Sequence, residues 1–207
     1  ATDENNDGIY EIGNAGQLYW FAQYVNAGNT SANAILTDNI VVNEGVMTLE
    51  STDARPWTPI GNYNNKYTGT FNGNNHTVSG LYFNNSEAQY VGMFGYIGEN
   101  SEVKNTGVIN SYINGNSSVG GVVGYNNVGT MTNCYNTGSS ILGVDYVGGV
   151  VGFNKGTITN CYNASDVSGE YSAGGFVGRN IGSIANCYNT GNVTGDNVGG
   201  IVYDNYG

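Results

Sequence analysis

Apolar residues in this chain fall in short runs of two to four, broken by Gly or Asn, and the pattern repeats itself. Residues 147–163 read VGGVVGFNKGTITNCYN, an earlier copy starts at Val119 (VGGVVGYNNVGTMTNCYN) and a later one at Ala173 (AGGFVGRNIGSIANCYN). A fourth begins at Val198 as VGGIV. The cysteines mark the period, since Cys134 to Cys161 is 27 residues and Cys161 to Cys187 is 26. Self-similarity at this spacing predicts stacked repeats. The runs are too short and too β-branched for helices and read as strands. One such unit cannot bury its apolar face alone, whereas copies stacked in register bury a continuous core.

Spacing within the copy predicts winding. Ile158 and Cys161 are three apart, so on one straight strand they face opposite ways. A left-handed bend at Asn160 lets both point inward, and Asn accepts that conformation better than other non-glycine residues. The same reading puts bends at Gly80, Asn105, Asn133, Asn160 and Asn186, with an inward slot about ten residues earlier at Phe71, Phe94, Val123, Val151 and Val177. The fold expected is all-β: a parallel β-solenoid of about six or seven rungs, on the order of 30 Å long. Its repeats are expected over residues 67–207, ahead of which 1–66 form a leader packed on the solenoid.

One helix stands out in the leader, over residues 14–27. Asn14 is its N-cap, Gln17 answers as in a capping box, and Gly28 stops it. Leu18, Phe21, Ala22 and Val25 share a face. This helix is expected to lie over the open N-terminal end of the coil, with Trp20 helping to cover it. Strands are expected at 34–37 and 39–42. Residues 55–61, RPWTPIG, hold both prolines and read as extended or turning, outside any sheet interior.

Composition narrows the function classes. A formal charge of −11 with only five basic residues argues against a nucleic-acid or anionic-membrane surface. No apolar run is long enough for a membrane helix, no signal peptide is evident, and the chain begins without Met and stops in mid-repeat. That predicts a piece of a longer protein. Three cysteines in one repeat slot read as stacked buried thiols (a neighbouring pair could bridge in an oxidising setting) rather than as a disulfide framework or a metal site. No cofactor is expected beyond weak calcium. Asp3, Asn5, Asp7 and Gly8 match the opening of a calcium loop and Glu11 its ninth position, but Asn14 replaces the bidentate Glu at the twelfth.

Candidate chemistry is sparse. The lone His76 has no nucleophile or orienting carboxylate beside it in sequence and reads as a turn residue. Glycan hydrolysis wants paired carboxylates. Asp145, Asp166, Glu170 and Asp196 are available, and Glu170 and Asp196 share an offset from the cysteine that stacks them one rung apart. An enzyme is nevertheless not expected. The stronger feature is aromatic: Tyr135, Tyr162 and Tyr188 follow the inward cysteine, so they face outward in a ladder. Asn136, Asn163 and Asn189 are expected beside them as hydrogen-bonding partners for carbohydrate or protein. Cys134, Cys161, Cys187 and Asn133, Asn160, Asn186 are read as structural ladders.

The phrase VGG-[VF]-VG-x-N-x-G-x-I-x-N-C-Y resembles the GLUG motif, found in tandem in bacterial surface proteins, including the non-catalytic N-terminal region of some immunoglobulin A metalloproteases. The first half, with DGIYEIGNAGQLYWFAQYVN, LTDNIVVN, WTPIG and FNGNNHTVSGLYF, is similar to the leader preceding such repeats. The resemblance implies a right-handed β-solenoid exported to the cell surface. Two departures stand out: Tyr203 replaces a Gly in the fourth copy, and the HExxH of the metalloproteases is missing. The expected role is a non-catalytic extracellular stalk or adhesin segment, with host glycans or proteins as partners. A carbohydrate-binding tyrosine face is the alternative, and a polysaccharide-cleaving enzyme stands third.

Overall fold

In the computed structural model, which describes residue 3 and residues 6–207, the chain winds. One turn runs through Thr130–Thr132, Tyr135–Gly143, Asp145–Gly148 and Val151–Asn154. Thr157–Thr159 then lies back on Thr130–Thr132 in parallel, with Met131 opposite Ile158. Repetition builds four parallel walls, of seven, nine, five and five strands in that order. The first wall extends from Ile9–Ile12 to Ser183–Ala185. Seven strands at about 4.8 Å per step give a length of about 30 Å.

The corners carry left-handed residues. Asn105, Asn133, Asn160 and Asn186 have φ between 53° and 55°, and Ile158 and Cys161 on either side of one such bend are both buried. The asparagine amides join turn to turn: Asn133 Nδ2 donates to Asn105 Oδ1 at 2.9 Å and Asn186 Nδ2 to Asn160 Oδ1 at 3.2 Å.

Gly80 and Phe71 sit elsewhere than expected. Gly80 (φ 72°) is a bend, but it stacks with Asn110 (52°) and Gly138 (63°) at the next corner along the turn. Phe71 pairs with Val103 in the first wall, and the place before Phe94 in the fourth wall is taken by Ile60. Corner loops explain the slip. Thr70 pairs with Glu102, 32 residues on, whereas Glu102 to Thr130, Thr130 to Thr157 and Thr157 to Ser183 are steps of 28, 27 and 26. Surface corners absorb insertions without disturbing the walls.

The leader contributes strands to these same sheets: Ile9–Ile12 pairs with Asn33–Leu36, which pairs with Thr70–Asn72. Between the first two lies the helix, Ala15–Asn26, whose cap Asn14 accepts from Gln17 N at 3.0 Å. Leu18, Phe21, Ala22 and Val25 are fully buried and join Tyr67, Phe71 and Trp57 in the main core. Trp20 does not help. It is 38% exposed and stacks on Tyr24 at 4.8 Å, because it projects from the helix face opposite Leu18 and Ala22. Tyr19 and Trp57 fill the role instead, their rings 5.3 Å apart.

The lumen holds two cores. The main one is lined by the first and fourth walls and the start of the second, and includes Phe94, Val123, Met131, Cys134, Ile158 and Phe176. A smaller one lies between the later part of the second wall and the third: Val91, Ile113, Val119, Ile141, Val147, Val167 and Ala173. The double glycine meets the Cys-Tyr-Asn phrase at the waist between them. A Cβ on Gly149 would lie 2.2 Å from Asn163 Cγ, and one on Gly121 would lie 2.4 Å from Asn136 Nδ2. Two distant parts of the repeat therefore fit one another: the glycine leaves the space the asparagine fills.

Candidate interaction surfaces

The tyrosines that follow the inward cysteines face outward by alternation and stack. Ring centroids of Tyr135 and Tyr162 are 5.0 Å apart with planes 2° from parallel, and those of Tyr162 and Tyr188 are 5.1 Å apart at 3°. Burial, then the flanking Tyr135 and Tyr188, raises the Tyr162 phenol above its ordinary range. Further along the same strands the sheet bends into a groove of about 560 Å³ lined by Ser140, Leu142, Asp166, Ser168, Asn192 and Thr194, among others. Asn192 Nδ2 donates to Asp166 Oδ1 at 2.9 Å there.

The amides expected beside these rings are on the other face. Asn136 and Asn163 are fully buried, because the residue after an outward tyrosine turns inward on a strand. Asn136 Nδ2 donates to Gly149 O at 2.8 Å, and Asn163 Nδ2 to Ser165 O and Asn189 Oδ1, both at 2.8 Å. Asn189, in the last turn, is half-buried and donates to Gly200 O at 2.9 Å. These are structural groups. A second ladder, buried at Asn126, Asn154 and Asn180, runs on to the exposed Asn205 through links of 2.7–2.8 Å. Each of the first three also accepts from a glycine N–H at the corner, which leaves few buried polar groups unpaired.

The cysteines stack as free thiols. Cys134 N donates to Cys161 Sγ at 3.2 Å. Cys134 and Cys161 are buried, and Cys187 is half-buried. Hydrogen bonding to Cys134, opposed by Cys187 and reinforced by burial, pushes the Cys161 thiol far up; hydrogen bonding to Cys161 and burial do the same for Cys187.

The remaining candidates are separated or engaged. Asn5 lies outside the described residues, and Asp3 accepts from the backbone of Asp7 (3.0 Å) and Gly8 (3.1 Å). Glu11 is on a strand of the first wall. Among the described residues no group of three His, Cys, Asp or Glu is placed to hold a metal ion. His76 lies in a turn, its N–H donating to Gly73 O at 2.7 Å. Asp145 accepts from the Ser172 hydroxyl. Glu170 and Asp196 are exposed on adjacent turns, with Asp196 N donating to Glu170 O at 3.3 Å.

A second aromatic surface was not foreseen. On the fourth wall Tyr96, Tyr125, Phe153 and Arg179 occupy one column on successive turns. Tyr96 to Tyr125 is 4.6 Å and Tyr125 to Phe153 is 4.8 Å between centroids. Tyr90 and Tyr146, both left-handed corner residues, flank the column, and Tyr63 stands at one end. None of these rings belongs to either core. Burial, with the neighbouring phenols, pushes Tyr96 up to about 12. The aromatic residue two places after the inward slot is visible in three copies, Tyr96, Tyr125 and Phe153, but strict alternation assigns it to the core.

Together these sheets and ladders define a parallel β-solenoid repeat protein. The particular repeat is the GLUG motif, whose family model matches residues 115–141 and 169–194. The chain is 38% identical over 109 residues to Halomucin of Haloquadratum walsbyi, covering 49% of this chain and 1% of that protein. It is 41% identical over 79 residues to a protein provisionally described as a Gly-rich membrane protein of Evansella cellulosilytica, covering 37% of this chain and 9% of that one. The chain thus spans a small fraction of these relatives' length. Its fold is similar to the crystal structure of a protein provisionally described as an immunoglobulin A1 protease from Bacteroides ovatus. The TM-score is 0.65 at 19% identity, over 93% of this chain and 70% of that one.

Proposed function

We propose that this chain is a non-catalytic extracellular module, a stalk or adhesin segment within a bacterial cell-surface protein. The observation that carries the reading is where the repeated residues go. Asn126, Asn154 and Asn180 hold one corner, Gly149 and Asn163 the waist, and Asn133 and Asn160 the bends. The repeat encodes a rod that can be lengthened turn by turn. Relatives named Halomucin and a Gly-rich membrane protein support a cell-surface setting. Among the described residues no helix is long and apolar enough to cross a membrane. Beads coated with the protein should adhere under flow to mucin-coated glass better than albumin-coated beads. Equal adhesion removes the adhesin half of the proposal, and immunogold labelling confined to the cell interior removes all of it.

A second reading, carbohydrate binding, is favoured by the tyrosine ladder and the hydroxyl- and amide-lined groove beside it. Stacked at 5.0 and 5.1 Å, the rings turn their faces to one another, so the ladder offers a ligand ring edges and phenol groups held at little entropic loss. On a glycan array, binding that Tyr162→Ala abolishes would place the site on this wall; binding that Tyr162→Ala leaves intact sinks it.

A further inference from the structure

Three of the five cations in the chain converge on the fourth wall. Lys66 Nζ lies 5.7 Å from the Tyr63 ring and 5.4 Å from Tyr96, and Lys155 Nζ lies 5.7 Å from Tyr125 and 5.5 Å from Phe153. Arg179 Cζ lies 5.3 Å from Tyr146 and 5.4 Å from Phe153. Aromatic faces attract cations electrostatically, which holds these flexible side chains along the column. Their pairing is unusual for so acidic a protein. Acidic residues outnumber basic ones 16 to 5, yet among the described residues neither Lys66 nor Lys155 has a carboxylate within ion-pair distance. Arg179 is met by Asp204 Oδ2 at 3.2 Å and by Tyr146 Oη at 3.0 Å.

The column therefore presents half-buried rings and unpaired ammonium groups at the rung period of about 4.8 Å, parallel to the solenoid axis. An extended polysaccharide advances by nearly that distance per sugar. Its C–H groups suit the outward parts of the Tyr125 and Phe153 rings, one face of Tyr125 being covered by Tyr96 at 4.6 Å, and acidic substituents suit Lys66 and Lys155. An acidic peptide matches the charges but offers no ring faces in step with the rungs. We infer that this column binds an acidic polysaccharide laid along the solenoid axis, with sugar rings against the outward edges of Tyr125 and Phe153 and carboxylate or sulfate groups at Lys66 and Lys155. The remaining net negative charge repels such a ligand at long range, and moderate salt screens that repulsion over about 8–10 Å while the close contacts persist. The site is on a different wall from the tyrosine ladder, so the two proposals fail separately.

The probes are alginate as a polyuronate, dextran as a neutral polysaccharide, and poly-glutamate as a sugar-free polyanion, each titrated calorimetrically into the purified chain. Alginate should bind at least about tenfold more tightly than the other two. Lys155→Gln and Tyr125→Ala should each weaken alginate by about fivefold, the effect of one lost cation–π or charged contact. Tyr162→Ala should leave it unchanged, and circular dichroism checks that each variant is folded. Dextran or poly-glutamate binding as well as alginate, no alginate binding at all, unchanged affinity in both column variants, or a loss confined to Tyr162→Ala would each overturn the proposal.

Discussion

The first and last turns in this chain are built from the same winding but differ in how far they are covered. At the first end the helix covers the lumen, and Leu18, Phe21, Val25, Ile60 and Tyr67 are fully buried. In the last turn the corresponding interior is open: Ile201 is 46% exposed, Val198 is 50% exposed, and Ile184, Cys187 and Val202 are half-buried. The contrast teaches that a rung residue's burial comes from its neighbours above and below, not from its own strand. An identical residue at an identical place in the repeat therefore differs in energetic weight by turn.

Substitutions in the covered first turn and the open last turn should expose that difference. Phe21→Ala removes a ring packed on Tyr67 and Phe71 at 6.1 and 6.2 Å and should cost about 3–5 kcal/mol by urea denaturation. Val202→Ala, in the half-open last turn, should cost less than about 1 kcal/mol. If the two match, the ends are energetically alike and the contrast fails.

Glycine makes a finer test. Gly149 and Gly200 hold the same place in the repeat, but a Cβ on Gly149 meets Asn163 Cγ at 2.2 Å and Gly175 O at 2.4 Å, whereas one on Gly200 meets nothing within 4 Å. Gly149→Ala should destabilise by about 3 kcal/mol. Gly200→Ala should be neutral or stabilise by up to about 1 kcal/mol through the unfolded chain. Thermal melts of the two variants should move in opposite directions, or only the first should move.

The asparagine ladder gives a smaller effect. Asn154→Ala leaves the Gly156 N–H without its partner and takes one of two acceptors from the Asn126 amide, at about 2 kcal/mol. Asn205→Ala, at the exposed top of that ladder, should stay within about 1 kcal/mol. Equal losses in hydrogen-exchange protection would contradict this ordering.

The last contrast is silent at neutral pH. Tyr96 is held neutral by burial to about 12, while an unfolded tyrosine ionises near 10.0. The stability this confers is complete below pH 10 and is lost as pH rises through 12, because the unfolded chain releases its proton first. The denaturation midpoint should fall over that window, and Tyr96→Phe should flatten part of the fall. No change on removing this phenol would mean that its burial does not couple to folding.

Much of this architecture could be read before folding was considered. The period came from the cysteines, the winding from the three-residue spacing of Ile158 and Cys161, and the helix from Asn14, Gly28 and its apolar face. What misled was phase. Counting back from the clear copies misplaces Phe71 and Gly80, because the 32-residue step from Thr70 to Glu102 breaks the count. The tyrosine ladder followed from alternation, yet the same alternation, applied one residue further, puts Asn136 and Asn163 inside. The second aromatic column escaped for a related reason. Val123 and Asn126 both point inward while Tyr125 between them does not, so the period of two fails at Gly124.

The sequence by itself determined that the chain coils, with what period, and which asparagines turn its corners, because a repeated local preference stacks on itself whatever surrounds it. Only the tertiary structure decided which turn each residue occupies, that the lumen splits into two cores at a glycine–asparagine waist, and that scattered cations meet aromatic rings on one wall. Those outcomes depend on the lengths of corner loops and on contacts between adjacent turns, and neither is written in the order of residues along a single strand.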